Sequence, residues 1–113
     1  MRRLRRRWQV PLGSLSPDNP AVPKGDLSLG CPIATAGGLV FVAGTIIDAS
    51  IRAFDVETGK ELWRGQLPTS GGATPMTYQV RQNGKQYLVI AVGGRQGVTE
   101  EPQSDSIVAF TLP

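Results

Sequence analysis

Similar segments recur along this chain at a spacing of roughly 55 residues. SIRAFD at 50–55 returns as SIVAFT at 106–111, and LVFVAG at 39–44 returns as LVIAVG at 88–93. Near the start, Trp8-Gln-Val-Pro-Leu12 matches Trp63-Arg-Gly-Gln-Leu67. A period of that size made of short β-prone runs means one supersecondary unit used more than once, each copy burying its apolar face on the next.

The runs at 32–36, 39–45, 50–56 and 61–67 are separated by short, turn-prone gaps, which predicts an antiparallel meander of four strands. A second set follows at 73–80, 86–92 and 106–112. Asn83-Gly84 between its first two runs predicts a hairpin turn of type I′, which needs positive φ at both central residues. A repeated four-stranded unit is a propeller blade.

The expected organisation is therefore all-β, with antiparallel four-stranded blades. Residues 1–14 are a basic head and the remnant outer strand of one blade, 15–29 a connector rich in Pro, Ser and Gly, 30–68 a complete blade and 69–113 three strands of a last, incomplete one. Two blades cannot close a ring, so the flanks are expected to be apolar and the incomplete blade to have an unpaired edge. The partners this implies are the remaining blades of a larger protein, or further copies of the chain.

Composition narrows the chemistry. The 113 residues include 14 Gly and 9 Pro, which suits a turn-rich β domain, with no His and one Cys. That excludes a histidine-based triad, a disulfide framework within the chain and a thiolate metal cage. The net charge of +3 rests on Arg2, Arg3, Arg5, Arg6 and Arg7, without which the balance is −2. No apolar run or small-residue cleavage site follows this head, so neither a signal peptide nor a membrane helix is expected in this chain. With no second basic cluster or aromatic platform, nucleic acid is not an expected partner.

AFDVETGKELW at 53–63 resembles the tryptophan-docking repeat of the quinoprotein dehydrogenases, eight-bladed propellers that carry pyrroloquinoline quinone (PQQ). In it Asp55 opens a turn, Thr58 and Gly59 complete it, and Trp63 falls where a large ring packs between neighbouring blades. GCPIATAGGLVFVAGTIIDASIRAFD, LPTSGGATPMTY and NGKQYLVIAVGG are similar, in order and spacing, to the C-terminal part of the membrane-bound glucose, quinate and shikimate group. The resemblance implies oxidation of a sugar or polyol hydroxyl by PQQ, with Ca²⁺ or Mg²⁺ polarising the quinone and electrons passing to ubiquinone. It also implies a periplasmic, inner-membrane location, and metal ligands and a base in blades upstream of this segment. The chain alone is then expected to be inactive. The alternative is a non-catalytic piece of a PQQ-like repeat propeller, acting as a scaffold or interaction module.

The resemblance assigns Asp48, Gly94 and Arg95 to the cofactor side. Read from the residues alone, Asp48 is equally a turn-capping carboxylate or the partner of Arg52, and Arg95 an exposed loop cation. Thr74, Pro75 and Met76 are expected to shape a channel wall or the core, Cys31 to be a buried inert thiol, and Trp8 and Trp63 to be structural. Glu57 with Glu61, and Glu100 with Glu101, lie in or beside turns and offer no glycosidase pair.

Overall fold

Seven strands form in the computed structural model, which describes residues 3–16, 18–26, 28–43, 45, 47–93 and 106–111. The first sheet is antiparallel, in the order β1 (Ile33–Ala34), β2 (Leu39–Val42), β3 (Ser50–Asp55) and β4 (Glu61–Gln66). The second, also antiparallel, runs β5 (Met76–Gln79), β6 (Gln86–Val92) and β7 (Ser106–Thr111).

Alternation along the strands explains how the sheets stack. Ile51 of the first sheet joins Ala43 and Leu67 in a core with Leu88, Ile90 and Val92 of the second, and Ile33, Phe41, Val108 and Phe110 pack against it. Trp63 meets Phe110 edge to face across the same boundary, with centroids 5.1 Å apart. The other side of β3 presents Arg52 and Phe54 to the segment that precedes β1. One sheet thus carries an apolar face toward its neighbour and a polar, braced face behind.

Registers correct one reading of the repeat. Phe54 lies opposite Val40 and Phe110 opposite Leu88, so Leu88 is the counterpart of Val40. The likeness of LVFVAG to LVIAVG is one residue out of step with this pairing. A strand read one residue out points every side chain to the wrong face, and burial of Leu88, Ile90 and Val92 fixes the register observed.

The turn between β5 and β6 is also not type I′. Gly84 N–H donates to Arg81 C=O at 3.0 Å, which makes Gln82 and Asn83 the central residues, and only Asn83 has positive φ, at 61°. Positive φ at the second central residue alone is the type II pattern, which accepts Asn as well as Gly there.

Residues 8–12 form no ladder in this structure. A strand needs a neighbour to pair with, and Trp8 instead docks on the turn between β3 and β4. Its Nε1–H donates to Val56 C=O at 2.9 Å, and its ring lies so close to Gly59 that a Cβ there would stand 2.6 Å from Trp8 Cδ2. Cys31 is exposed rather than buried, because it precedes the short first strand, outside the core. No helix among the described residues is long and apolar enough to cross a membrane.

Candidate functional site

The connection from β2 to β3 carries Asp48, whose backbone and side-chain polar atoms are each hydrogen-bonded. Asp26 Oδ2 accepts the backbone N–H of Ile47 at 2.7 Å and of Asp48 at 3.0 Å. The Thr45 hydroxyl donates to the carbonyl of Asp48. On the Asp48 side chain, Oδ1 accepts the Ser50 hydroxyl at 2.6 Å and Oδ2 accepts Arg52 Nη2. Arg52 Nε donates to Glu61 Oε1 on β4 at 2.8 Å.

Alternation places Ser50 and Arg52 on the same face of β3, which is why one carboxylate reaches both. Asp48 and Arg52 are each 4% exposed, so this ion pair is withdrawn from water and depends on its hydrogen bonds. Two buried polar atoms, Arg52 Nη1 and Asp26 Oδ1, have no protein partner among the described residues.

Beside this network lies a cleft of about 410 Å³. Arg52, Phe54 and Arg64 stand on one wall, and Val10, Pro11 and Lys24 on the other. A second cleft, of about 400 Å³, lies between the sheets and includes Phe41, Trp63 and Phe110. Both oxygens of Asp48 are engaged, so the carboxylate braces its loop.

Of the residues singled out in the sequence, Asp48 is paired with Arg52, while Gly94 and Arg95 lie outside the described residues. They follow Gly93 at the end of β6, and β6 pairs with β7 as β2 pairs with β3, so Asp48 and residues 94 and 95 belong to equivalent interstrand connections. Pro75 is buried and Met76, which begins β5, is exposed. Glu61 lies in β4 and is spent on Arg52 rather than solvated in a turn, while Glu57 forms an exposed pair with Arg7 at 3.4 Å. Glu100 and Glu101 lie outside the described residues.

The docking turn is built as its residues require. Asp55 Oδ1 accepts the N–H groups of Glu57 at 2.7 Å and Thr58 at 3.1 Å, and Gly59 takes φ of 75°. Asp26 was not legible in advance, because it sits in an irregular connector and acts 22 residues away, on the backbone of Asp48.

This stacked-sheet architecture with tryptophan docking agrees with comparisons to known proteins. Residues 1–88 match the PQQ family described as glucose/ethanol/alcohol dehydrogenase, beta-propeller domain, and the chain belongs to that family. It is 42% identical to the probable quinate dehydrogenase (quinone) of Xanthomonas campestris pv. juglandis over 94% of this chain and 14% of that protein. Against the quinoprotein glucose dehydrogenase of Escherichia coli the identity is 51%, over 75% of this chain and 10% of the relative. Among solved structures, a quinohemoprotein alcohol dehydrogenase of Pseudomonas putida is similar with a TM-score of 0.50 and 33% identity, covering 58% of this chain and 9% of that one. The chain thus spans a small fraction of the length of these relatives, whose full-length family is quinoprotein and PQQ-dependent.

Proposed function

We propose that this chain is part of a PQQ-dependent dehydrogenase that oxidises a hydroxyl of a sugar or polyol, of the glucose or quinate/shikimate type, and passes the electrons to ubiquinone at the periplasmic face of the inner membrane. The observation that carries the reading is the pair of stacked antiparallel sheets with Trp8 docked on the Asp55–Gly59 turn, in a chain 42% identical to a quinate dehydrogenase.

PQQ, when bound, supplies the acceptor for the substrate's two electrons. What this chain contributes is position. The connection holding Asp48, and the equivalent connection holding Gly94 and Arg95, border the cofactor, and Arg52 keeps the first of them in shape. The Arg95 guanidinium suits carboxylates of the quinone, while the oxygens of Asp48 already accept hydrogen bonds from Ser50 and Arg52. The Ca²⁺ or Mg²⁺ of the full-length family enzymes draws its ligands from other blades. Among the described residues no group of three or more His, Cys, Asp or Glu is placed to hold a metal ion.

The test is a chimera in which residues 1–113 replace the matching segment of the Xanthomonas quinate dehydrogenase. The expected outcome is PQQ-dependent dye reduction with quinate or glucose, weakened by Arg95→Ala chiefly through lower affinity for PQQ. The isolated chain, supplied with PQQ and Ca²⁺, is expected to show no turnover. A folded chimera that binds no PQQ would overturn the reading and favour a scaffold.

A further inference from the structure

We infer that Asp26 is a positioning residue for the cofactor side: from the connector before β1 it sets the course of the connection that carries Asp48. This rests on the reading of that connection as a border of the PQQ site. Asp26 Oδ2 accepts two successive backbone N–H groups, of Ile47 at 2.7 Å and of Asp48 at 3.0 Å. One charged oxygen shared by neighbouring N–H groups orients both peptide planes, and such bonds are stronger than those between neutral groups. Oδ1 is buried and has no protein partner among the described residues, so Oδ2 alone does this.

The remaining ties of Asp48 act on other atoms. Ser50 and Arg52 hold its carboxylate, and the Thr45 hydroxyl donates to its carbonyl. All three donors are within seven residues of each other in sequence, on the connection itself or on β3. Asp26 reaches the backbone from a different part of the chain. Ser28 and Thr45 form an antiparallel bridge, and counting on from it sets Asp26 opposite Ile47. The connector therefore lies along the connection as a neighbouring strand would, with the side chain of Asp26 taking the N–H groups.

Asp26 is itself held. Its N–H donates to Leu12 C=O at 2.8 Å, and Gly25 N–H donates to Gly13 C=O at 2.9 Å. Gly13 has φ of 74°, and a Cβ there would stand 2.8 Å from Thr45 Cγ2 and 3.1 Å from Asp26 Cβ. Because Gly13 has none, the segment that follows the docked Trp8, the connector and the connection brace one another. Arg52 fixes the side chain of Asp48 from within the sheet, and Asp26 fixes its backbone from outside it. Loss of Asp26 leaves two N–H groups without their acceptor, while the Asp48–Arg52 pair and the strands stay as they are.

The experiment has two readouts. In the 113-residue chain, Asp26→Ala is expected to speed amide exchange at Ile47 and Asp48 and to leave β6 as protected as in the wild type. In the quinate dehydrogenase chimera, titration with PQQ followed by fluorescence is expected to show binding weakened about tenfold by Asp26→Ala, roughly the worth of one hydrogen bond. Asp26→Asn should stay close to wild type, since its amide oxygen accepts the same two N–H groups. Asn83→Ala, in the turn at the opposite end of β6 from Gly93, is the control for simple destabilisation and should leave PQQ affinity in place. Unchanged exchange at Ile47 and Asp48, unchanged PQQ affinity in Asp26→Ala, or an equal loss in Asn83→Ala would overturn the inference. A folded wild-type chimera that binds no PQQ overturns the reading of the site and this role with it, an outcome distinct from a PQQ-binding chimera that Asp26→Ala leaves unchanged.

Discussion

Arg52 shows how one residue settles a local structure. Its guanidinium bridges Asp48 on the preceding connection and Glu61 on the next strand, both from a buried position. Removing one member of a buried pair strands the other, at a cost of about 3–5 kcal/mol. Arg52→Met is expected to destabilise by that amount in urea unfolding, and adding Asp48→Asn should recover part of it, since the orphaned charge is gone. Equal losses in the single and double variants would show that Asp48 is not the charge left unpaired. Gly59 makes a second case at this scale. It holds φ of 75° and has no room for a Cβ beneath Trp8, so Gly59→Ala combines backbone strain with a clash. The expected cost is about 1–3 kcal/mol, with a change in tryptophan fluorescence when Trp63 is replaced by Phe to isolate Trp8.

At the scale of elements, β-prone runs and the turns between them were readable because each strand has a local signature of alternation and punctuation. The run 86–92 coincides with β6, and 50–56 and 61–67 overrun β3 and β4 by one residue. The misses have physical causes. Residues 8–12 have the composition of a strand and no ladder, because pairing is supplied by a neighbour and not by the segment itself. The turn after β5 was read from its most turn-prone dipeptide, yet hydrogen bonding starts at Arg81 and shifts the central pair back by one. Of the candidate site, Asp48 and its partner Arg52 were visible because they share one short stretch of loop and strand, whereas Asp26, in the distant connector, was not. The turn also makes a prediction. Asn83 sits at φ of 61°, where a Cβ without a local hydrogen-bonding side chain costs about 1–2 kcal/mol. Asn83→Ala should therefore destabilise by about that much and Asn83→Gly by little, as thermal unfolding would show. Equal effects would mean that the side chain of Asn83, and not its backbone, holds the turn.

At the scale of the whole molecule, the two sheets share one buried apolar cluster among the described residues. The buried cluster draws Ala43, Ile51 and Leu67 from the first sheet and Leu88, Ile90 and Val92 from the second, so each sheet is the apolar surface on which the other forms. The stability of such a unit is a neighbour term more than a sum of intrinsic blade stabilities. Ile51 is fully buried at that boundary, and Ile51→Ala is expected to cost about 2–5 kcal/mol, a large share of what a chain this small commands. The decisive readout is where the loss is felt. If the sheets are one cooperative unit, amide exchange in β6 should speed up as much as exchange in β3, although Ile51 lies in β3 alone. If protection falls in the first sheet and persists in the second, the blades fold separately and the shared core is a docking contact. Leu88→Ala, made from the other side of the boundary, should mirror the result, since the same contact is then opened from its second wall.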